Sequence, residues 1–445
     1  MANGQQQTPR IIIIGAGVGG LTCGIRLKTK LKLENFTIYE KSEEIGGTWR
    51  ANTYPGCSSD VPVHWYSLSS DLNPTWSKSH ALRPEIQDYW FALTGKYGLY
   101  SNLVFNTRVV SADWDATKHA YAVVIEDVST GNRLHTSAEI VISAVGVLEQ
   151  PYLPYKEIHG IDNFKGQSFH CAKWPHEIDL RDKNVAVIGN ASSGAQFIPA
   201  ITEDPTTKVV NFIRTPVWFN TRPHIPYSNV EKWAFKNIPM VMKFHRAWIM
   251  FDVRLADSGY LASTHRPNLS LNFDGISEVV GDGLVTRTGE MLPFDVIIYA
   301  TGFVGDKYPV HVKGFNDVTV RGYYKVHGGP TAYRGTTIPG IPNFYMIAGP
   351  NTGTSTSTLF VEEVQVEYIL QMIQPVLDHR LTWLTVKDDA TDAYNRRLQA
   401  RLSQSVHSEC YSWQRVDGTG KIFNPFPWAV ILWWWRLRWP RCNRD

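Results

Sequence analysis

Cysteine is scarce in this chain. Five thiols (Cys23, Cys57, Cys171, Cys410 and Cys442) are scattered over 445 residues. Their number is odd and no CxxC pair occurs, which argues against a disulfide framework, a zinc ribbon and a dithiol redox centre. A reducing, cytoplasmic compartment is the simplest expectation. The fourteen histidines contain no HExxH spacing, so no metal site is expected. Charge of one sign is also missing. A net charge of +3 over the whole chain gives no electrostatic case for nucleic acid as a partner.

Long apolar runs are absent too. Ile11–Ile14 stops at a glycine after four residues. The first nine residues are polar and carry no signal-peptide pattern. Trp428 to Trp439 is too short to span a bilayer, and Arg436 and Arg438 interrupt it. Trp and Arg suit a membrane surface, but packing on the body of the protein is the simpler expectation for this tail. What the chain does have is core material. Hydrophobic residues make up 43% and charged residues 19%, so disorder is not indicated. The length predicts two or three domains, with interleaving allowed.

Residues Arg10 to Glu40 form the first informative unit. The Ile11–Ile14 run reads as a central parallel strand. Gly15-Ala16-Gly17-Val18-Gly19-Gly20 follows, then a helical stretch through Leu21, Ile25 and Leu27, then a strand over Phe36–Tyr39. Gly15 permits the tight turn, Gly17 lets a pyrophosphate reach the backbone, and Gly20 lets helix and strand approach. Glu40 follows Gly20 by twenty residues, where a carboxylate binds ribose hydroxyls. The unit predicts a dinucleotide site without separating FAD from NAD.

A second unit repeats the plan. Asn184–Ile188 reads as a strand, followed by Gly189-Asn190-Ala191-Ser192-Ser193-Gly194, a helix through Phe197 and Ile201, and a strand over residues 208–213. Arg214 stands where the first unit has Glu40, again twenty residues after the last glycine. Arg suits a 2′-phosphate, so this site favours NADP over NAD. Ala191 occupies the place of the second glycine, and its methyl is either tolerated with a small shift or weakens binding. One site for a flavin and one for a nicotinamide is the minimal kit for passing a hydride from NADPH to FAD.

Two further stretches narrow the chemistry. Gly46 to Asp60 places a glycine turn (Gly46, Gly47, Thr48), two aromatics (Trp49, Tyr54) and an acid (Asp60) in a Pro/Gly-rich loop. Such a loop can flank a flat ring. Phe164 to Pro175 places His170 and Trp174 between the two nucleotide units. On these stretches the chain resembles the class B flavoprotein monooxygenases of Baeyer–Villiger type. That family carries G-G-x-W, then Y-P-G and a closing Asp, and Gly46 to Asp60 matches it throughout. It also carries F-x-G-x-x-x-H-x-x-x-W-P, and Phe164 to Pro175 matches every fixed position. The Trp-Pro ending separates this branch from N- and S-oxidising flavin monooxygenases. The likeness covers most of the chain. Val145-Gly146 and Ala300-Thr301-Gly302 stand where the family links its nucleotide domains, and Gly349 to Gly353 precede an amphipathic helix with Val361, Val364, Ile369 and Ile373.

The resemblance implies an α/β fold of two Rossmann-like domains, FAD- and NADP-binding, with the FAD domain discontinuous. Residues 1–148 and 301–445 would form the FAD domain and its C-terminal tail. Residues 149–300 would form the NADP domain, with a shortened helical insertion around 227–260. It implies FAD and NADPH as cofactors, and a small-molecule ketone and O2 as substrates. The product would be an ester or lactone, formed through a C4a-peroxyflavin, in fungal secondary metabolism. It assigns Arg254 and Asp60 to catalysis: the cation holds developing negative charge and the acid holds the cation. Trp49 and Tyr54 would wall the flavin, Thr301 and Gly302 would lie at a cofactor, and His170 and Trp174 would couple the domains. Two departures stand out. Ala191 replaces a family glycine, and Val253 stands where the family has a Lys beside the Arg. They keep two alternatives open: an N- or S-oxidising flavin monooxygenase, and an inactive flavin-binding relative. An FAD oxidase or disulfide reductase fits poorly without a redox cysteine pair.

Overall fold

Ile11–Ile14 can bury four consecutive apolar side chains only where both faces of a sheet are covered. In the computed structural model, which describes residues 8–215, 217, 225–249, 257–354, 356–409 and 411–440, all four are at most 5% exposed. Each such isoleucine contributes about 1.5–3 kcal/mol of burial. The strand pairs in parallel with Phe36–Tyr39 on one side and Ile140–Ser143 on the other. Phe344–Met346 and Leu103–Val104 complete this five-stranded parallel sheet.

A second five-stranded sheet repeats the arrangement. Asn184–Ile188 lies between Lys208–Phe212 and Val296–Tyr299. Leu269–Asn272 and Gln167–His170 close its edges, all in parallel. Each parallel sheet is accompanied by an antiparallel one. Thr107–Asp115, Ala120–Asp127 and Arg133–Ala138 form a meander joined by His311–Lys313. Ile276–Val280, Gly283–Thr286 and Met291–Pro293 form a smaller one.

The chain divides into two compact units. The first comprises Met1–Gly47, Tyr89–Glu149 and Val304–Asp445, and the second Thr48–Asp88 and Gln150–Phe303. The sequence reading placed residues 48–88 with the first glycine loop, and here the structure differs. Gly56 lies so close to the helix after the second loop that a side-chain carbon on it would stand 2.4 Å from the Gln196 carbonyl oxygen. Gln196 also holds Tyr54, Ser58 and Asp60, so the segment belongs with that helix.

The region expected to be a truncated insertion carries two short helices, Asn229–Asn237 and Val241–Ile249. The first opens on a capping box. Ser228 Oγ accepts from Glu231 N at 3.2 Å, and Glu231 Oε2 accepts from Ser228 N at 2.7 Å. The Tyr227 hydroxyl joins His64 Nδ1 at 3.0 Å to His245 Nε2 at 3.2 Å, which fastens the second helix to the 61–70 segment.

The Trp-rich tail forms the helix Val430–Leu437. It buries Val430, Trp433 and Leu437 and exposes Trp435. Among the described residues no helix is long and apolar enough to cross a membrane.

Candidate functional site

The two glycine loops are built alike at their first and last glycines. Gly15 has φ +101° and Gly189 has φ +106°. A side-chain carbon on Gly15 would stand 2.8 Å from the Ala144 carbonyl oxygen, and one on Gly189 would stand 2.5 Å from that of Ala300. These turns therefore need glycine both for the left-handed backbone and for space. A carbon on Gly20 would stand 1.9 Å from Gly15 O, and one on Gly194 would stand 2.6 Å from Gly189 O. That is the close strand-to-helix approach a dinucleotide fold requires.

Both loops end in helices whose first turns lack a capping side chain. Val18–Arg26 starts after Gly17 and Ser192–Ile201 after Ala191. Neither has a side-chain cap, and neither has an acid in its own first turn. Their N–H groups and the positive end of the helix dipole suit a pyrophosphate. A side-chain carbon on Gly17 would meet only Gly47 Cα, at 3.6 Å, so that face of the loop is otherwise clear. Ala191 sits at φ −74° and Gly17 at φ −73°. The alanine thus adopts the same backbone without left-handed strain, and it is exposed.

The strand ends differ between the loops. Glu40 is buried; its Oε2 accepts from Ala16 N at 2.7 Å and its Oε1 from Ser42 N at 2.9 Å. The carboxylate is fixed at the cradle and keeps lone pairs for ribose hydroxyls. In the second loop Arg214 is exposed just past Lys208–Phe212. Buried Asn211, on that strand, donates to Val187 O and Gly189 O, both at 3.1 Å, and accepts from the Tyr260 hydroxyl at 2.7 Å. The residues present therefore fit two dinucleotides, one over an acid and one near a guanidinium.

The Gly46–Asp60 stretch is divided between the units. Gly46 N donates to Ala16 O at 3.0 Å, and Gly47, at φ +54°, would bring a side-chain carbon to 2.8 Å from Gly17 Cα. Those two glycines complete the first cradle. Thr48, exposed, opens the short helix Thr48–Ala51, and its carbonyl accepts from Asn52 N at 3.0 Å. Trp49 is buried, with its indole N–H on the Tyr66 hydroxyl at 3.0 Å and its carbonyl on Arg83 Nε at 2.6 Å. Tyr54, expected to wall a flavin, sets its ring against Phe197 and its hydroxyl 3.0 Å from Gln196 Oε1 within the second unit.

Gln196 is the residue that sequence reasoning missed. It is 7% exposed. Its Oε1 accepts from the Tyr54 hydroxyl and from Ser58 N at 3.2 Å; its Nε2 donates to Ser58 O at 3.1 Å and to Asp60 Oδ1 at 2.7 Å. One amide thus satisfies four groups of the loop. The signal was present, since Gln196 is the one amide in the helix Ser192–Ile201, among Ala195, Phe197 and Ile198. Burial holds the Asp60 carboxyl above the usual carboxylate range, while hydrogen bonds from Ser192 and Gln196 pull it back down. Ser193 contacts both the Tyr54 hydroxyl and the Cys171 thiol. Burial pushes the Cys57 and Cys171 thiols up to about 12, so neither is a ready nucleophile at neutral pH.

His170 and Trp174 close the second unit. His170 is 4% exposed, accepts at Nδ1 from Ala172 N at 3.1 Å, and packs edge-on against Phe303. Burial lowers its pKa to about 4, so it is neutral in the fold. Trp174 packs on Phe169 and Phe197 and lines a cavity of about 370 Å3 with Pro55, Arg181 and Ile201. Thr301 donates to Tyr152 O, and Gly302 O accepts from Tyr152 N at 2.9 Å, so the two segments are tied together within the second unit. Arg254 and Val253 lie outside the described residues. No group of His, Cys, Asp and Glu able to hold a metal occurs among the described residues.

Comparisons with known proteins agree with this geometry. Residues 8–224 match the flavin-binding monooxygenase-like family. The chain is 31% identical to a Baeyer–Villiger monooxygenase of Pseudomonas aeruginosa, over 98% of this chain and 92% of that protein. It is 29% identical to an FAD-binding monooxygenase of Aspergillus terreus, over 93% of this chain and 84% of the relative. The solved structure of cyclohexanone monooxygenase from Rhodococcus bound to NADP+ shares the fold. The TM-score is 0.82 at 22% identity, covering 96% of each chain.

Proposed function

This chain belongs to the Baeyer–Villiger family of flavin-binding monooxygenases, and from that premise we propose that it oxidises a small-molecule ketone with O2, holding FAD in the first glycine cradle and NADPH in the second. The observation that carries the assignment is the pairing of two equally built cradles that differ at the strand end: buried Glu40 in one, Arg214 in the other. An acid accepts a free ribose, and a guanidinium accepts a 2′-phosphate.

When bound, NADPH supplies a hydride and FAD supplies the ring that takes it and activates O2. The protein's share is binding, orientation and charge. Gly15, Gly17, Gly20, Gly46 and Gly47 shape the first cradle, with Glu40 on the ribose. Gly189, Ser192, Ser193, Gly194 and Arg214 shape the second. Arg254 is the catalytic cation, stabilising negative charge as oxygen adds to the carbonyl. Asp60 orients that cation, and Gln196 fixes Asp60. Thr301 and Gly302 complete the cofactor contacts. Fungal secondary metabolism is the proposed context; the FAD-binding monooxygenase of Aspergillus terreus is one fungal relative, beside bacterial ones. Three buried free thiols, Cys23, Cys57 and Cys171, suit a reducing cytoplasm.

The test is direct. Purified protein should carry FAD, and NADPH should bleach it. A cyclic ketone should give a lactone holding one atom from labelled O2. Arg254→Ala should still bleach with NADPH but yield no lactone. Sulfide oxidation without any lactone, or flavin that NADPH leaves oxidised, would overturn the proposal.

A further inference from the structure

We propose that Glu362 links FAD affinity to pH: in alkaline solution its carboxyl takes up a proton from solvent when FAD enters the first cradle, so raising the pH loosens the cofactor. The inference rests on the reading that the first cradle takes FAD.

Geometry carries it. Glu362 projects from the helix Thr358–Leu377, is 8% exposed, and its Oε2 has no hydrogen-bond partner among the described residues. It faces Gly19, in the first turn of Val18–Arg26. A side-chain carbon on Gly19 would stand 3.5 Å from Glu362 Cδ and 3.6 Å from its Oε2. That first turn has no acid of its own and no capping side chain. The acid beside it is therefore delivered from another helix, next to the helix end that would receive a pyrophosphate. Packing alone does not account for it. The neighbouring polar residues of the same helix are all engaged: Glu363 pairs with Arg26 at 2.8 Å, and Gln365 accepts from Ala348 N at 2.8 Å. Among these, Glu362 is the one with an oxygen left over.

The surrounding charges point the same way. Burial raises the Glu362 pKa to about 8, and the Glu363 charge adds to the rise. From Val18–Arg26 the titratable side chains are Cys23 and Arg26, and Arg26 is already committed to Glu363 and Glu367. Arg334 lies over the Tyr368 ring on the same helix as Glu362, and Arg436 of Val430–Leu437 lies over Trp428. None of these cations is a partner of Glu362. In the empty cradle the positive helix end favours the carboxylate and burial opposes it. A pyrophosphate brings further negative charge to the same helix end, so the bound state holds the proton more tightly. The dissociation constant for FAD then rises with pH above about 8, by at most tenfold per pH unit.

Serial dilution of the purified holoprotein from pH 6.5 to 9.5, with released FAD followed by its fluorescence, reads this directly. Wild-type protein should release FAD increasingly above pH 8. Glu362→Gln should bind FAD with a nearly flat profile. Calorimetry of FAD rebinding in buffers of different ionisation enthalpy should show proton uptake near pH 8.5 in wild type and none in the variant. If Glu362→Gln does not fold, Glu362→Met takes its place. Equal slopes in wild type and variant, or no proton uptake by wild type, would overturn the inference. Absence of FAD binding at every pH would instead overturn the assignment of the first cradle.

Discussion

Gln196 Nε2 donates to Asp60 Oδ1 across 2.7 Å, and the same side chain accepts from the Tyr54 hydroxyl at 3.0 Å. A single amide on the helix of the second glycine loop therefore positions the acid proposed to orient Arg254. Cutting it should be felt twice. Gln196→Ala removes four hydrogen bonds to buried groups of Tyr54, Ser58 and Asp60, which should cost about 2–4 kcal/mol, checked by urea unfolding. At a temperature where the variant stays folded, lactone formation should fall further than flavin reduction by NADPH. Equal losses in both steps would mean that the amide is only structural.

The two cradles should fail separately. Gly20→Ala drives a methyl to 1.9 Å from Gly15 O, so this variant should purify without FAD. Gly194→Ala forces a contact of 2.6 Å with Gly189 O and should keep its FAD while losing reduction by NADPH. Absorbance of the bound flavin, before and after NADPH, reads both outcomes.

Ala191 should prove to be an ordinary residue. Its backbone matches that of Gly17 without positive φ. Ala191→Gly should change stability by less than about 1 kcal/mol, because the freer unfolded chain is offset by the preference for glycine over alanine at a helix N-cap. It should change the Kd for NADP+ by less than about tenfold. A much larger gain in affinity would show that the methyl obstructs the pyrophosphate.

Arg214 should set the coenzyme preference. Arg214→Ala removes a charge-assisted contact worth about 1.5–3 kcal/mol. The KM for NADPH should rise by roughly tenfold or more, while that for NADH stays within about twofold. Steady-state kinetics with both coenzymes decides it.

His170 gives a pH signature. Its folded pKa, about 4, lies below the ordinary value of 6.5 because the ring is buried. The unfolded chain then binds the proton more readily than the fold does. Stability is therefore complete above pH 6.5 and falls as pH drops toward 4, by up to about 3 kcal/mol. The Tm of wild-type protein should decline over that window, and His170→Gln should decline less steeply.

Much of this was legible in the chain because it depends on neighbours in sequence. Strand Ile11–Ile14, its glycine turn and Glu40 follow one another within thirty-odd residues, and the hydrophobic period and glycine spacing predict them. The same holds for Asn184–Ile188 and its loop. The fingerprint around His170 and Trp174 was readable for the same reason. What escaped depends on residues far apart. Asp60 and Gln196 are separated by 136 positions. Nothing local to Gly46–Asp60 says that its glycines complete one cradle while its tyrosine and aspartate join the other unit.

The sequence alone therefore determined the two dinucleotide cradles, the difference between Glu40 and Arg214, and the family. Those features are written as short periodic patterns, which the backbone must follow wherever the rest of the chain goes. Tertiary structure alone decided which unit owns residues 48–88, that Ala191 is unstrained, and that Glu362 leans on Gly19. Each of these turns on how closely two distant backbones approach, and close approach is set by packing, which no local pattern records.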